Sequence, residues 1–386
     1  MSVLSLVSVS FRRAVLAAGL LAAPGALCAQ NIVSTDPVGA VVLNFLGSSD
    51  TLVSLPLHQP VALEATVSGV AGNVVDLDLS GATLTANQYV YQGSGTSTYY
   101  AQFITGNREG YYYTVTANDI NGNISLNTAT DAGFSGNVAI GDSVQIIPYW
   151  TLNTLFPGGN GTLPTNNFGA SNRNSEVLYP DMTDSGTDLA SSIIYYYYNG
   201  TANVGAGWRL SGGSATVLQN DVIVPPNSSL IVRLNVATNT TTTLVGSVPM
   251  SGFATPLSTL VANTPQDIAV GVSVPSNVTL SQSQLFESGA FAPSINFGAS
   301  PPGRQDELLV FDNTATGQDK AAVQIYYYYN GTANVGPGWR LSGGSATVLQ
   351  NNTPVFQPGN GYVIRKAATA SPTTVIWTFV PPYLTP

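Results

Sequence analysis

Ile194 to Asn220 and Ile325 to Asn351 carry the same run of residues and differ only at Ala206 against Pro337. Each run opens with isoleucine and four tyrosines, passes through Asn-Gly-Thr, and continues to Gly-Trp-Arg-Leu-Ser-Gly-Gly. Self-similarity of this kind means one structural unit used twice. Consecutive tyrosines suit a strand, because aromatic side chains pack well on a pleated surface and lose χ1 freedom in a helix. Alternation puts Tyr195 and Tyr197 on one face and Tyr196 and Tyr198 on the other. Asn199-Gly200 and Asn330-Gly331 then predict a tight type I′ hairpin. On the return leg Trp208 (Trp339) and Arg209 (Arg340) point to opposite faces.

Two readings of that hairpin compete. In one, the outer tyrosines Tyr196, Tyr198, Tyr327 and Tyr329, with Trp208 and Trp339, form an aromatic platform for a sugar ring or a partner surface. In the other, one tyrosine pair fills a sandwich core and the second covers the sheet. The packing reading is favoured, since a tyrosine ring is apolar and its hydroxyl readily finds a partner at a half-buried position. An uncharged strand like this one also templates aggregation when left open, so both faces and both edges are expected to be occupied.

Charged residues make up only 8% of the chain, against about a quarter in ordinary globular proteins. Gly, Ser, Thr and Asn fill the difference between short β-branched and aromatic runs, the profile of exported β-proteins. Arg12-Arg13, the apolar run Ala14 to Leu21 and the small residues near Ala29 read as a signal peptide over 1–29. Export through the general secretory route is the default, with Arg12-Arg13 a weak twin-arginine hint. Cys28 is the one cysteine. It is lost on cleavage or becomes a lipidated N-terminus, although Leu27 before it fits a lipoprotein signal poorly. The leader takes two of eleven basic residues and no acidic one, leaving nine against twenty and a mature balance of −11. That charge disfavours nucleic acid and anionic membranes. A mature chain without cysteine has neither disulfides nor thiolate chemistry, and no later run is long and apolar enough for a transmembrane helix.

The expected fold is all-β: two copies of a β-sandwich-like module, the first carrying an inserted small β-barrel or sandwich. Residues 30–49 read as a linker. The first module takes 50–63 and 151–260, the insertion 64–150, and the second module 267–386. The alternating line that opens at Asp50 matches the one at Asp267, with Val53, Leu55 and Leu57 opposite Val270, Val272 and Val274. Leu155-Phe156 aligns with Leu285-Phe286, and Asn167–Ser171 with Asn296–Ser300. Arg173, Glu176, Asp181 and Asp188 fall opposite Arg304, Glu307, Asp312 and Asp319. Within the insertion, strands are expected near 63–67, 74–79, 88–91, 99–104, 110–116, 124–126 and 140–147.

Candidate chemistry is sparse. His58 is the sole histidine, too few for a catalytic triad or a His-based zinc site, and reads as a loop residue at a strand end. Asp119 to Ser125 has alternate oxygen side chains like a calcium loop, but its glycine is misplaced and no glutamate closes it; a hairpin turn explains the same residues. Glu176 with Asp181, and Glu307 with Asp312, are the carboxylate pairs that glycoside hydrolysis would use. Arg173 and Arg304 stand close enough in sequence to neutralise them. Arg209 and Arg340 either stack on an aromatic ring or pair with these carboxylates, and the salt bridge is the preferred expectation. The Asn199-Gly-Thr and Asn330-Gly-Thr sequons are more economically turns.

With Glu109-Gly110 and Thr114–Asp119, the line Gly141 to Leu152 and the repeated Gly-Trp-Arg…Gly-Gly, the chain resembles an uncharacterised family of exported bacterial proteins. The resemblance implies export and this domain layout and adds no site. No cofactor or metal is expected. The expectation is an exported non-enzymatic structural, surface or adhesive β-protein in the extracellular, cell-surface or periplasmic space. Its partners would be a glycan or other surface proteins. A carbohydrate-binding module pair is the alternative, and a carboxylate-based hydrolase ranks last.

Overall fold

In the computed structural model, residues 37–385 are described apart from 94, 159–161, 167–172, 202, 296–303, 333 and 346. The expected leader, Cys28 and the match between 167–171 and 296–300 lie outside the described residues. The chain is nearly all β. Two five-stranded antiparallel sheets have the same strand order. In the first, β12 (Gly207–Leu210), β11 (Ile193–Tyr198), β10 (Ser175–Tyr179), β14 (Ser229–Leu234) and β2 (Ser49–Ser54) lie side by side. In the second, β20 (Gly338–Leu341), β19 (Gln324–Tyr329), β18 (Glu307–Val310), β21 (Tyr362–Lys366) and β17 (Gln266–Val270) repeat that order. The registers match too: Tyr197 faces Trp208, and Tyr328 faces Trp339.

A two-stranded ribbon covers each sheet. In the first module β1 (Val38–Phe45) pairs with β15 (Thr240–Ser247), and Leu43, Phe45 and Leu244 pack onto Val53, Val177, Leu230 and Val232. In the second, β16 (Phe253–Thr259) pairs with β22 (Thr373–Phe379), and Leu257, Trp377 and Phe379 pack onto Ile268, Leu308 and Ile364. Alternation supplies the apolar face in each strand. These ribbons move two sequence-drawn boundaries. The stretch read as a linker contributes β1, and residues 253–259, read as the end of the first module, belong with the second. A ribbon strand is defined by its partner, and Val38 meets Ser247 from the far end of the module.

Between β2 and a short strand β9 (Trp150–Thr151) sits a closed barrel. Its strands are β3 (Leu63–Ala71), β4 (Val74–Asp78), β5 (Tyr99–Phe103), β6 (Tyr112–Asn118), β7 (Asn123–Leu126) and β8 (Ser143–Pro148), ordered β3-β4-β7-β6-β5-β8. Closure removes every open edge. Val67, Val75, Phe103, Val115, Ile124 and Ile146 fill the inside. Residues 88–91, expected as a strand, form a turn instead. Tyr89 caps the barrel with its ring 5.1 Å from that of Tyr99, and Asn118 Oδ1 accepts its backbone N–H. The short β13 (Ile223–Val224) pairs with β9, tying the first module to the barrel's exit.

Candidate functional site

The six residues proposed as a platform do not form one. Tyr196, Tyr198, Trp208, Tyr327, Tyr329 and Trp339 are all between 1% and 8% exposed. Cross-strand pairing also divides them, because Trp208 lies opposite Tyr197 on the core face while Tyr196 lies opposite Arg209 on the other. On the core face Tyr197 and Trp208 meet edge to face at 5.8 Å, and Tyr328 and Trp339 at 5.6 Å. On the outer face Arg173 covers the Tyr196 ring at 4.2 Å and Arg304 covers Tyr327 at 5.4 Å. A sugar has no platform in these six side chains.

The connection after the tyrosines is longer than a two-residue hairpin. Residues 199–206 join β11 to β12, and the Asn199 N–H donates to Asn166 O, so Asn-Gly opens a loop and does not make the turn alone. That loop explains Arg209. Its Nε donates to Ala215 O at 2.6 Å, Nη1 to Trp208 O at 2.9 Å and Nη2 to Gly205 O at 2.6 Å. Arg340 likewise reaches Trp339 O and Gly336 O. The expected carboxylate partners are therefore replaced by loop carbonyls, and the buried guanidinium holds the loop over the sheet's outer edge. Trp208 N–H donates to Asn220 Oδ1, and its carbonyl accepts from Gln219 N, so that edge is filled.

The candidate carboxylates are occupied. Glu176 receives Arg173 Nη1 at 2.8 Å, and Glu307 receives Arg304 Nη1 at 2.7 Å. Asp181 accepts Thr183 N–H and hydroxyl, which hold its carboxyl down at about 2; Thr314 does the same for Asp312 and also lowers it. Asp119 accepts from Asn123 Nδ2 and from the backbone of Asn121 and Asn123, the turn between β6 and β7. His58 bridges to Ser247 through its backbone, and its Nδ1 lies 2.6 Å from Gln59 O. Among the described residues no three His, Cys, Asp or Glu gather as a metal site would need.

Where the two modules meet, the contacts are reciprocal. The β10–β11 loop of the first module docks on β17, and the β18–β19 loop of the second docks on β2. Asp50 N–H donates to Gly317 O and Asp267 N–H to Gly186 O, both at 2.9 Å. Arg233 joins Asp50 (2.7 Å) and Asp319 (2.7 Å), as Arg365 joins Asp267 (2.8 Å) and Asp188 (2.9 Å). Ser54 N–H donates to Gly359 O, and the equivalent Gly271 N–H to Asn227 O. Every one of these contacts has a mate under exchange of the modules, so the seam has the form of an isologous dimer interface within one chain. It also covers the inner edge of each sheet, completing the edge protection.

One open feature interrupts the reciprocity. A cleft of about 680 Å³ lies between β1 and the second module, walled by Val42 and Asn44 on one side and by Val310, Phe311, Gln324 and Gln357 on the other. Thr51 and Val53 of β2 and Tyr326 also line it. The corresponding place across the seam, bounded by Met182, Pro256 and Ile268, is only about 170 Å³. Tyr179 stands where the second module has Val310, and its hydroxyl donates to Ile223 O of its own module; burial and then neighbouring Tyr195 push its pKa up. Sequence reading passed over the cleft residues because they are ordinary Val, Gln and Thr. The signal was in the mismatches between copies: Tyr179 against Val310, Ile193 against Gln324, Ile268 against Thr51.

No protein-family model, curated protein or solved structure matches the chain. Among the described residues no helix is long and apolar enough to cross a membrane, which says nothing of crossing with strands.

Proposed function

We propose that this chain is an exported, non-enzymatic β-protein with a structural, surface or adhesive role. The observation that carries the reading is the use of its repeated hairpin. Both tyrosine rows, both tryptophans and both arginines are spent on packing and on closing sheet edges. The reciprocal seam then joins the modules into one body with its inner strand edges covered. Such a body presents loops and ribbon faces from a scaffold that resists edge-to-edge aggregation. The leader-like segment and low charge support export.

Fractionation of producing cells, with intact-mass measurement of the recovered chain, tests this. The expected result is a chain starting after Cys28 or Ala29, outside the cytoplasm, and cell attachment or envelope integrity that falls when the gene is deleted. An uncleaved cytoplasmic chain would end the reading.

A further inference from the structure

We propose that the cleft between β1 and the second module is a binding site for a neutral saccharide. It differs from the buried tyrosine rows in every residue but Tyr326, which forms part of its floor. Its volume of about 680 Å³ falls within the roughly 300–1,000 Å³ usual for small-molecule sites.

The lining decides the ligand class. Asp312 is the one charged side chain on it, and its Oδ1 is already taken by Thr314 N–H and hydroxyl. The rest of the polar surface is amide and hydroxyl: Asn44 at the exposed rim, Gln324 and Gln357 beside it with Oε1 accepting from Tyr326 OH and Asn360 Nδ2, and Thr353 on the wall donating to Gln350. Amides offer a donor and an acceptor on one group, which matches the paired hydroxyls of a sugar. Between them Val42, Val323 and Pro354 present apolar surface suited to ring C–H groups, and Phe311 adds a half-buried aromatic ring. A chain carrying a formal charge of −9 repels anionic ligands, so the saccharide is neutral.

Two further observations mark the cleft as more than a packing defect. Thr51 on its floor is 2% exposed, and its hydroxyl has no hydrogen-bond partner. A buried hydroxyl left unpaired is costly, and an apolar residue would avoid the cost, as Ile268 does at the equivalent place. Second, the smaller counterpart goes with a bulky Tyr179, bonded to Ile223 O, at the position equivalent to Val310. The second module carries Val310 and leaves the cleft open.

Calorimetric titration of the mature chain with neutral tetrasaccharides of glucose, mannose, galactose and N-acetylglucosamine tests the site. At least one is expected to bind. Val310→Tyr, which installs the side chain used across the seam, is expected to abolish that binding. Gln324→Ala and Gln357→Ala, both at exposed positions, should each weaken it about tenfold, the loss of one good hydrogen bond to a desolvated partner. Melting temperatures of the two alanine variants should match that of the parent, which separates loss of contact from loss of fold. Absence of binding by all four sugars, or binding that none of the three substitutions changes, would overturn the proposal. The exported scaffold role would survive either result, since it requires no sugar.

Discussion

The two modules share strand order, register, the tyrosine-rich hairpin and the Asp–Arg–Asp contacts of the seam, yet at a few places where they meet the copies differ. At the seam Ser54 and Ser229 of the first module face Gly271 and Gly361 of the second. A Cβ added to Gly271 would stand 2.3 Å from the Ser54 Cβ, and one added to Gly361 would stand 2.6 Å from the Ser229 Cβ. Two identical modules carrying serine could not approach this closely. Within the sheets the copies differ again: Asp306 and Lys366 form a buried ion pair where the first module has Ser175 and Leu234. The hairpin and the sheet order are common to both copies, and the Ser54–Gly271 and Ser229–Gly361 pairings are differences that let the modules approach closely.

The largest expected effect comes from breaking that buried pair. Lys366 also donates to Ala290 O, and Asp306 accepts the N–H groups of Ala292 and Ala367. Lys366→Ala strands a buried carboxylate and should cost about 3–5 kcal/mol in denaturant unfolding. The double change Asp306→Ser with Lys366→Leu, the pair used by the other module, should recover most of it. If the double variant is no better than the single, the modules are not interchangeable at this position.

Gly271→Ser should cost about 1–3 kcal/mol by overpacking the seam, and adding Ser54→Gly should restore part of that loss, the rest staying with the Ser228 carbonyl 2.6 Å from the added Cβ. A cycle that shows no coupling would mean the seam relaxes without the serine–glycine alternation. Arg233→Ala and Arg365→Ala each remove a bidentate contact to one aspartate and a single contact to an exposed one. Each should cost about 1–3 kcal/mol. Equal losses in the two variants support the reciprocal seam, and a large inequality breaks it.

The paired tryptophans sharpen the comparison further. Trp208 Nε1 donates to Phe156 O at 3.3 Å, whereas the buried Trp339 Nε1 has no partner. Trp208→Phe should therefore be more destabilising than Trp339→Phe, by about 1 kcal/mol, in thermal melts of the two variants. The smallest effect concerns acid. The folded pKa of Asp181 lies near 2, below its ordinary 3.8, because Thr183, Ser192 and Asp184 donate to its charged form. Its contribution to stability is whole above about pH 4 and is lost as pH falls through about 2. Asp312 faces Val323 where Asp181 has Ser192. Asp181→Asn should thus flatten the melting-temperature profile between pH 4 and 2 more than Asp312→Asn does.

Much of the architecture was legible from residue pattern. The tyrosine runs, the alternating lines from Asp50 and Asp267, and most barrel strands followed from the two-residue period alone, and β2 and β17 do hold equivalent places at their sheet edges. The Arg173–Glu176 and Arg304–Glu307 pairs were legible because they lie three residues apart. Strand β1 was not, since its Val-Gly-Ala-Val run acquires meaning only beside β15. The salt bridge preferred for Arg209 is absent because its hydrogen-bond partners are backbone carbonyls, which carry no mark in a sequence, while the alternative ring contact is met by Tyr198 at 5.9 Å. Residues 88–91 look like a strand but lack a neighbour, and Tyr89 became a plug.

By itself the amino-acid sequence determined that the chain is all-β, that a unit is repeated, and which side chains share a strand face, because those properties depend on local period and composition. Tertiary structure alone decided which face is buried, how the four sheet edges are closed, and that one of two equivalent clefts stays open. Those outcomes depend on groups brought together from distant segments, so their energies exist only once the modules have docked.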